Sequence, residues 1–139
     1  MEARAKTMWT GGLKTESLIR DFEVETDQPK IYYGTNQAPA PAELFAGSIG
    51  ACFITSFVWY AWHNHLRLDE LTVSVKAPIK ETKDGEEITE IQMKIKVWSE
   101  PKAKSKLEKC FEFAKTLCPL TNTLKIPVSY TIKYKLEKD

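Results

Sequence analysis

The sequence predicts an α+β fold with helices packed on a mainly antiparallel sheet. Three observations predict it. Short segments of alternating apolar and polar residues lie near both ends of the chain. Between them, Leu44 to Trp62 carries no charged residue, and from Pro101 to Leu117 the apolar spacing becomes helical. At 139 residues the chain has the length of one domain, so a single domain over 1–139 is expected.

The first alternating region runs from Trp9-Thr10-Gly11-Gly12-Leu13 to Phe22-Glu23-Val24-Glu25-Thr26-Asp27. Its Gly-Gly turn signal predicts two or three antiparallel strands. Pro, Gly, Asn and Gln then crowd the stretch from Asp27 to Pro41, which predicts a loop stiffened at its end by Pro39 and Pro41.

The uncharged stretch that follows is about as long as a bilayer requires. Gly47, Ser48, Gly50, Thr55 and Ser56 interrupt it, and Glu43 stands where a basic anchor would be. These features favour a long central helix buried all round in a protein core, with small residues at 46, 47, 48, 50 and 51 letting another helix approach closely.

Leu71 to Ala77 alternates as a half-covered strand, and so does Ile88 to Trp98, with Ile91, Met93, Ile95 and Val97 on one face. Lys83-Asp84-Gly85-Glu86 between them predicts a hairpin turn. On the helix from Pro101 to Leu117, Leu107, Cys110, Phe111, Ala114 and Leu117 form one apolar stripe. After a break at Cys118-Pro119, Val128 to Tyr134 alternates as a final strand.

Lys+Arg 20 against Asp+Glu 19 leaves a formal net charge of +1, which gives no electrostatic reason to expect nucleic acid. Membrane insertion is not expected either. Met1 to Lys6 carries charges with no apolar run after them, so no secretory signal is read and a cytoplasmic location is expected. In that compartment three cysteines predict transient, catalytic disulfide chemistry rather than a structural framework.

Cys52 and Cys118 are the candidate reactive thiols, although either could pack as a small hydrophobe. Cys110 lies on an apolar stripe and reads as packing. Pro119-Leu120-Thr121-Asn122 reads as a helix start with Pro at its first position, which makes Cys118 the capping residue. Unpaired backbone N–H groups there favour its thiolate. His63 and His65 are two apart and diverge on a helix, so no metal site is expected, and no cofactor.

Pro41-Ala42-Glu43-Leu44-Phe45-Ala46-Gly47-Ser48-Ile49-Gly50-Ala51-Cys52, with Cys118-Pro119-Leu120-Thr121-Asn122-Thr123-Leu124 much later, resembles the two signatures of the OsmC/Ohr family. That family comprises osmotically inducible protein C, the organic hydroperoxide resistance proteins and broader relatives. The resemblance extends from about Trp9 to the final strand. It implies an OsmC-like fold, an intertwined homodimer with active sites at the subunit interface, and a thiol-dependent peroxidase acting in oxidative or osmotic stress defence. Cys52 would be the peroxidatic cysteine on the central helix and Cys118 the resolving one. A small-molecule hydroperoxide would be the substrate and a dithiol the reductant.

In the peroxidase members an arginine from the N-terminal strands and a glutamate at the start of the central helix flank the thiol. The Gly11-Gly12 context places Leu13 or Lys14 near the arginine position; Arg20, further along the strands, is the candidate because a guanidinium pairs bidentately with a carboxylate and stays charged, and Glu43 is the candidate acid. The peroxidases carry the acid directly after the proline, where this chain has Ala42; one residue along a helix turns a side chain by about 100 degrees. Glu43 reads equally as a first-turn acid favoured by the helix dipole, and Arg20 as a solvated strand residue. Phe45, Phe53 and Phe57 suggest an apolar substrate. The rival expectation is a stress-associated or small-ligand-binding protein that keeps the fold with little peroxidase activity. A thiol hydrolase using Cys52 and a histidine is a third reading, without an acyl-transfer signature to support it.

Overall fold

A computed structural model describes residues 1–136 of the chain, which divides into two compact units, Met1–Phe45 and the remainder from Ala46. In the first unit β1 (Lys6–Gly11), β2 (Lys14–Ile19) and β3 (Phe22–Thr26) form an antiparallel sheet in the order β1-β2-β3. The Gly-Gly signal therefore marks a three-stranded meander. Gly11 and Gly12 both take positive φ, 111° and 57°, which glycine adopts without a Cβ penalty. Arg20 and Asp21 form the second turn, and Arg20 itself has φ 55°.

The loop after β3 is organised around a residue the sequence did not single out. Asp27 is buried, and its carboxylate accepts the Gln28 N–H at 2.7 Å, the Gln37 N–H at 3.1 Å, the Thr35 N–H at 3.4 Å and the Thr35 hydroxyl. These donors, with the Thr35 hydroxyl contributing most, outweigh burial and hold the carboxyl well below its usual range. Gly34 allows the loop to close. A Cβ there would stand 1.9 Å from the Gln28 carbonyl oxygen.

The long helix α1 (Pro41–His63) starts with a reciprocal cap. The Ala40 N–H donates to Glu43 Oε1 at 2.9 Å, while the Glu43 and Leu44 N–H groups donate to the Ala40 carbonyl. Pro41 at the first helical position has no N–H to leave unpaired.

The second unit contains most of α1 and a sheet of β4 (Glu70–Lys76), β7 (Ile91–Ser99) and β8 (Val128–Leu136), in the order β4-β7-β8. β4 and β7 run antiparallel, but β7 and β8 run parallel. A parallel neighbour requires a crossover. Here it is a 3₁₀ turn at Pro101–Ala103, then α2 (Lys104–Leu117) and the short α3 (Pro119–Thr123). The Asp84-Gly85 signal does not join β4 to β7 directly. It closes a separate hairpin of β5 (Ile79–Thr82) and β6 (Gly85–Ile88), a pair too short to show a clear period in the sequence.

β7 alternates as expected, with Ile91, Met93, Ile95 and Val97 buried and Lys94 and Lys96 exposed. Ile49, Phe53, Phe57 and Ala61 of α1 and Leu107, Cys110 and Ala114 of α2 complete the core. Each large apolar side chain fully removed from water contributes about 1.5–3 kcal/mol. Gly50 marks the close approach: a Cβ there would lie 3.3 Å from Val75 Cγ2 on β4, so the small residue admits a strand rather than another helix.

α1 is long and apolar enough to cross a bilayer by length and composition. Its burial is nevertheless one-sided, which corrects the expectation of a helix covered all round. Positions 49, 53, 56, 57 and 61 share a buried face, whereas Gly47, Ala51, Thr55, Val58, Trp59 and Trp62 are exposed. From Leu44 to Trp62 the helix has no charge on any face, and so has more apolar surface than this unit covers.

Candidate active site

Cys52 and Cys118 come together in the second unit. Cys52 is half-buried near the middle of α1, facing the break between α2 and α3 where Cys118 is wholly buried. The two side chains share a hydrogen bond, and both thiols are free. Cys118 is the extended residue between two helices: its N–H closes α2 on the Ala114 carbonyl at 3.2 Å, and Pro119 opens α3 after it. The Cys-Pro helix start read from the sequence is thus present, with the cysteine in the capping position.

The two thiols are electrostatically unequal. Burial opposes ionisation of Cys118. It is outweighed by the Thr121 hydroxyl, the Thr121 N–H, the Cys52 thiol and the Leu120 N–H, all donating towards Cys118, so its pKa falls below that of an ordinary thiol. Cys52 moves the other way. Burial raises it first, the hydrogen bond and charge of Cys118 raise it further, and the Leu120 N–H only partly compensates. Of the two, Cys118 is therefore the thiol that gives up its proton more readily. Cys110, wholly buried on α2, is pushed up to about 11 by desolvation and stays a neutral thiol.

Two residues at this site were not singled out in the sequence. Thr121, one turn into α3, places its hydroxyl 3.2 Å from the Cys118 carbonyl oxygen and within hydrogen-bonding reach of the sulfur. Tyr130 on β8 hydrogen-bonds to the Thr121 side chain. Its ring centroid lies 5.9 Å from that of Phe53 and 5.7 Å, edge-on, from that of Phe111. The only sequence signal for Tyr130 was its place on the inward face of an alternating strand.

Glu43 and Arg20 belong to the first unit, where each has a partner of its own. Glu43 caps α1 through Ala40, and the Arg20 guanidinium lies over the Phe22 ring, 5.1 Å from its centroid. Lys14 Nζ donates to Gln37 Oε1 at 2.9 Å. Phe53 and Phe57 are wholly buried in the core and offer no surface to a substrate, contrary to the expectation for them. Leu117 and Leu120, which flank Cys118-Pro119 in the chain, do retain exposure. His63 stacks on Trp59 and its Nδ1 is 2.8 Å from the Trp59 carbonyl oxygen, while His65 lies beyond α1 with φ 53°. Among the described residues no three His, Cys, Asp or Glu side chains gather as metal ligands would.

Residues 34–133 match the family model described as OsmC-like protein, which covers both cysteines and the whole of α1. The chain belongs to the OsmC-like family. Solved structures share this fold. An OsmC-like protein from Mycoplasma pneumoniae superposes with a TM-score of 0.84 at 16% identity, covering 97% of this chain and 98% of that one. An OsmC-like protein of unknown function from Vibrio cholerae gives 0.82 at 16% identity, over 96% and 99%. An organic hydroperoxide resistance protein from Elizabethkingia anophelis, solved with thiocyanate bound, gives 0.72 at 20% identity, over 99% of each. No curated protein matches the chain.

Proposed function

We propose that this OsmC-like protein is a thiol-dependent peroxidase that reduces organic hydroperoxides through Cys52 and Cys118. One observation carries the reading: two free thiols from different elements share a hydrogen bond, and one of them, Cys118, is more acidic than an ordinary thiol. In the cycle, the Cys118 thiolate takes the Cys52 proton, and the Cys52 sulfur attacks the distal oxygen of the hydroperoxide. The O–O bond breaks, the alkoxide leaves with the proton held by Cys118, and Cys52 becomes a sulfenic acid. Cys118, again a thiolate, attacks the Cys52 sulfur, expels hydroxide and forms the disulfide. A dithiol reductant then reopens it by exchange and is itself oxidised.

The exposed apolar face of α1, with Val58, Trp59 and Trp62, supports a homodimer in which a second copy covers that face. Glu43 and Arg20 enter the proposal as auxiliary residues on the strength of the family resemblance, and the exposed Leu120 favours alkyl over inorganic peroxides. The test is consumption of tert-butyl hydroperoxide with a dithiol, compared between the protein and Cys52→Ser. Loss of consumption in the variant is expected; equal consumption would sink the proposal.

A second reading is favoured by one observation. The Cys52 thiol is pushed up by burial and by its neighbour, as suits a family member with little peroxidase activity and a binding or stress-associated role. Mild hydroperoxide that leaves both thiols reduced would select this second reading.

A further inference from the structure

We propose that the outer face of the β4-β7-β8 sheet is a docking surface for a linear phosphate polyanion, held along an oblique line of lysines. This face looks away from the core and from α1, whose Gly50 approaches Val73 and Val75 on the other side of β4. It shares no residue with the thiol pair or with the exposed face of α1.

Strand register sets the pattern. Odd-numbered residues of β4 and β7 and even-numbered residues of β8 turn inward, so Lys76, Lys94, Lys96 and Lys133 share the other face, and all four are exposed. Lys76 stands beside Gln92. In the next row Lys94 lies between Ser74 and Thr131, in the next Lys96 is directly opposite Lys133, and in the last Lys135 is beside Trp98. Each row is two residues from the one before, about 7 Å along the strands. The lysines therefore cross the sheet from the end of β4, over β7, to β8. Glu70, in the row of Lys135, is the one acid on this face among the paired residues.

Three features mark this line as built for a partner rather than for the fold. Like charges directly opposed, as Lys96 and Lys133 are, weaken a sheet. None of Lys76, Lys94, Lys96 and Lys133 forms an ion pair among the described residues, although the chain carries almost as many acids as bases. Between Lys76 and Lys94 the face also has a hollow of about 380 Å³, lined by Ser74, Gln92, Ser129 and Thr131 as well. The Thr131 hydroxyl donates to the Met93 carbonyl at 3.3 Å and Gln92 Nε2 to Glu90 Oε1 at 2.9 Å, which leaves the two serine hydroxyls beside the ammonium groups to meet an anion. Charge complementarity selects an anion, and the layout narrows its kind. A bilayer surface is matched by charge spread in two dimensions, and a single nucleic-acid strand by rings on which its bases stack. Here the cations follow a line, and the ring on this face, Trp98, lies under the Lys135 ammonium, 5.3 Å from its centroid. A chain of phosphates without bases is the occupant that fits.

The test titrates the full chain, with its thiols reduced, with long-chain inorganic polyphosphate at about 0.15 M ionic strength, followed by calorimetry. Saturable binding that weakens as salt is raised is expected. Lys94→Gln, Lys96→Gln and Lys133→Gln together should weaken it by about tenfold or more. Lys104→Gln, Lys106→Gln and Lys109→Gln on α2 remove the same charge and should change it by less than about twofold. The first variant, relieved of the Lys96–Lys133 repulsion, should melt no lower than the parent. Absence of polyphosphate binding overturns the proposal, and so does equal weakening by the two variants, which would reduce the effect to net charge. A lower Tm in the first variant overturns it as well, because the lysines would then serve the fold. Tighter binding of duplex or single-stranded DNA, or of phosphatidylglycerol vesicles, than of polyphosphate at equal phosphate concentration overturns the choice of occupant. No arm measures hydroperoxide consumption, so the result stands apart from the peroxidase reading.

Discussion

Asp27 and Cys118 are two buried acceptors built in similar ways, one in each unit of the chain. Both are nearly or wholly removed from water, and both gather backbone N–H groups and a threonine hydroxyl, Thr35 for one and Thr121 for the other. In both the donors outweigh burial, so the ionised form is favoured. What differs is the rest of the setting. Every donor to Asp27 belongs to the loop that it organises, so its charge fixes a shape. Cys118 has among its donors a second thiol from another element, so its charge can be handed on. A buried acceptor with only fixed donors organises a loop; one whose donors include a second thiol has a proton that can move.

The comparison can be broken most severely at the thiols. Cys52→Ser should lower dithiol-driven hydroperoxide turnover by about 100-fold or more, as expected for loss of an attacking group. Cys118→Ser should allow one oxidation event and stop at a Cys52 sulfenic acid, read by mass spectrometry after trapping; a disulfide-dependent turnover surviving in that variant would contradict the pairing. Neither change should greatly alter the acid stability of the first unit.

At Asp27 the expected effect is on stability alone. Asp27→Ala should lower Tm by about 5 °C or more while leaving the Cys118 titration in place, measured by calorimetry and thiolate absorbance. The sign of the pH dependence follows from the lowered carboxyl. Its contribution is fully present above the unfolded value near 4 and is lost as pH falls through the lower folded value. Acid unfolding of Asp27→Ala should accordingly be less steep than that of the parent.

Gly34→Ala should destabilise the same loop by a smaller amount, because a Cβ meets the Gln28 carbonyl oxygen and the backbone must shift. Acid sensitivity should be retained, since the donors to Asp27 remain. The smallest effect belongs to Cys110. Its thiol is neutral up to about pH 11, so iodoacetamide should leave it unlabelled in the native protein at about pH 8. Cys110→Ala should leave peroxide turnover unchanged.

Much of this arrangement was legible in the sequence, and the reasons for the rest are physical. The alternation of β7, the Cys-Pro helix start and the helical stripe of α2 are local patterns and were readable, except that Leu117, read into the stripe, is exposed at the end of α2. The parallel pairing of β8 with β7 was not, because strand direction depends on the crossover rather than on either strand. Asp27 looked like one more polar residue at the head of a loop, since donors at 28, 35 and 37 become its partners only when the chain folds back. Tyr130 and Thr121 escaped for a similar reason: nothing local marks a tyrosine whose partner lies on another element. Two-signature resemblance, in turn, pointed to the family and to the cysteines without distinguishing their charges.

The position of Cys118 between α2 and α3 also has a topological consequence. It lies within the crossover that joins two neighbouring parallel strands, while Cys52 lies on a helix that precedes both. A disulfide between them closes a covalent ring around β4, the β5–β6 hairpin, β7 and α2. In the chain-entropy description a ring of this size stabilises the folded state by about 4 kcal/mol. The oxidised protein should therefore resist unfolding better than the reduced one, and the reductant must act against that stabilisation to reset the thiols. In the proposed cycle turnover and stability are linked through one bond, and the redox state of the protein should be readable from its melting temperature.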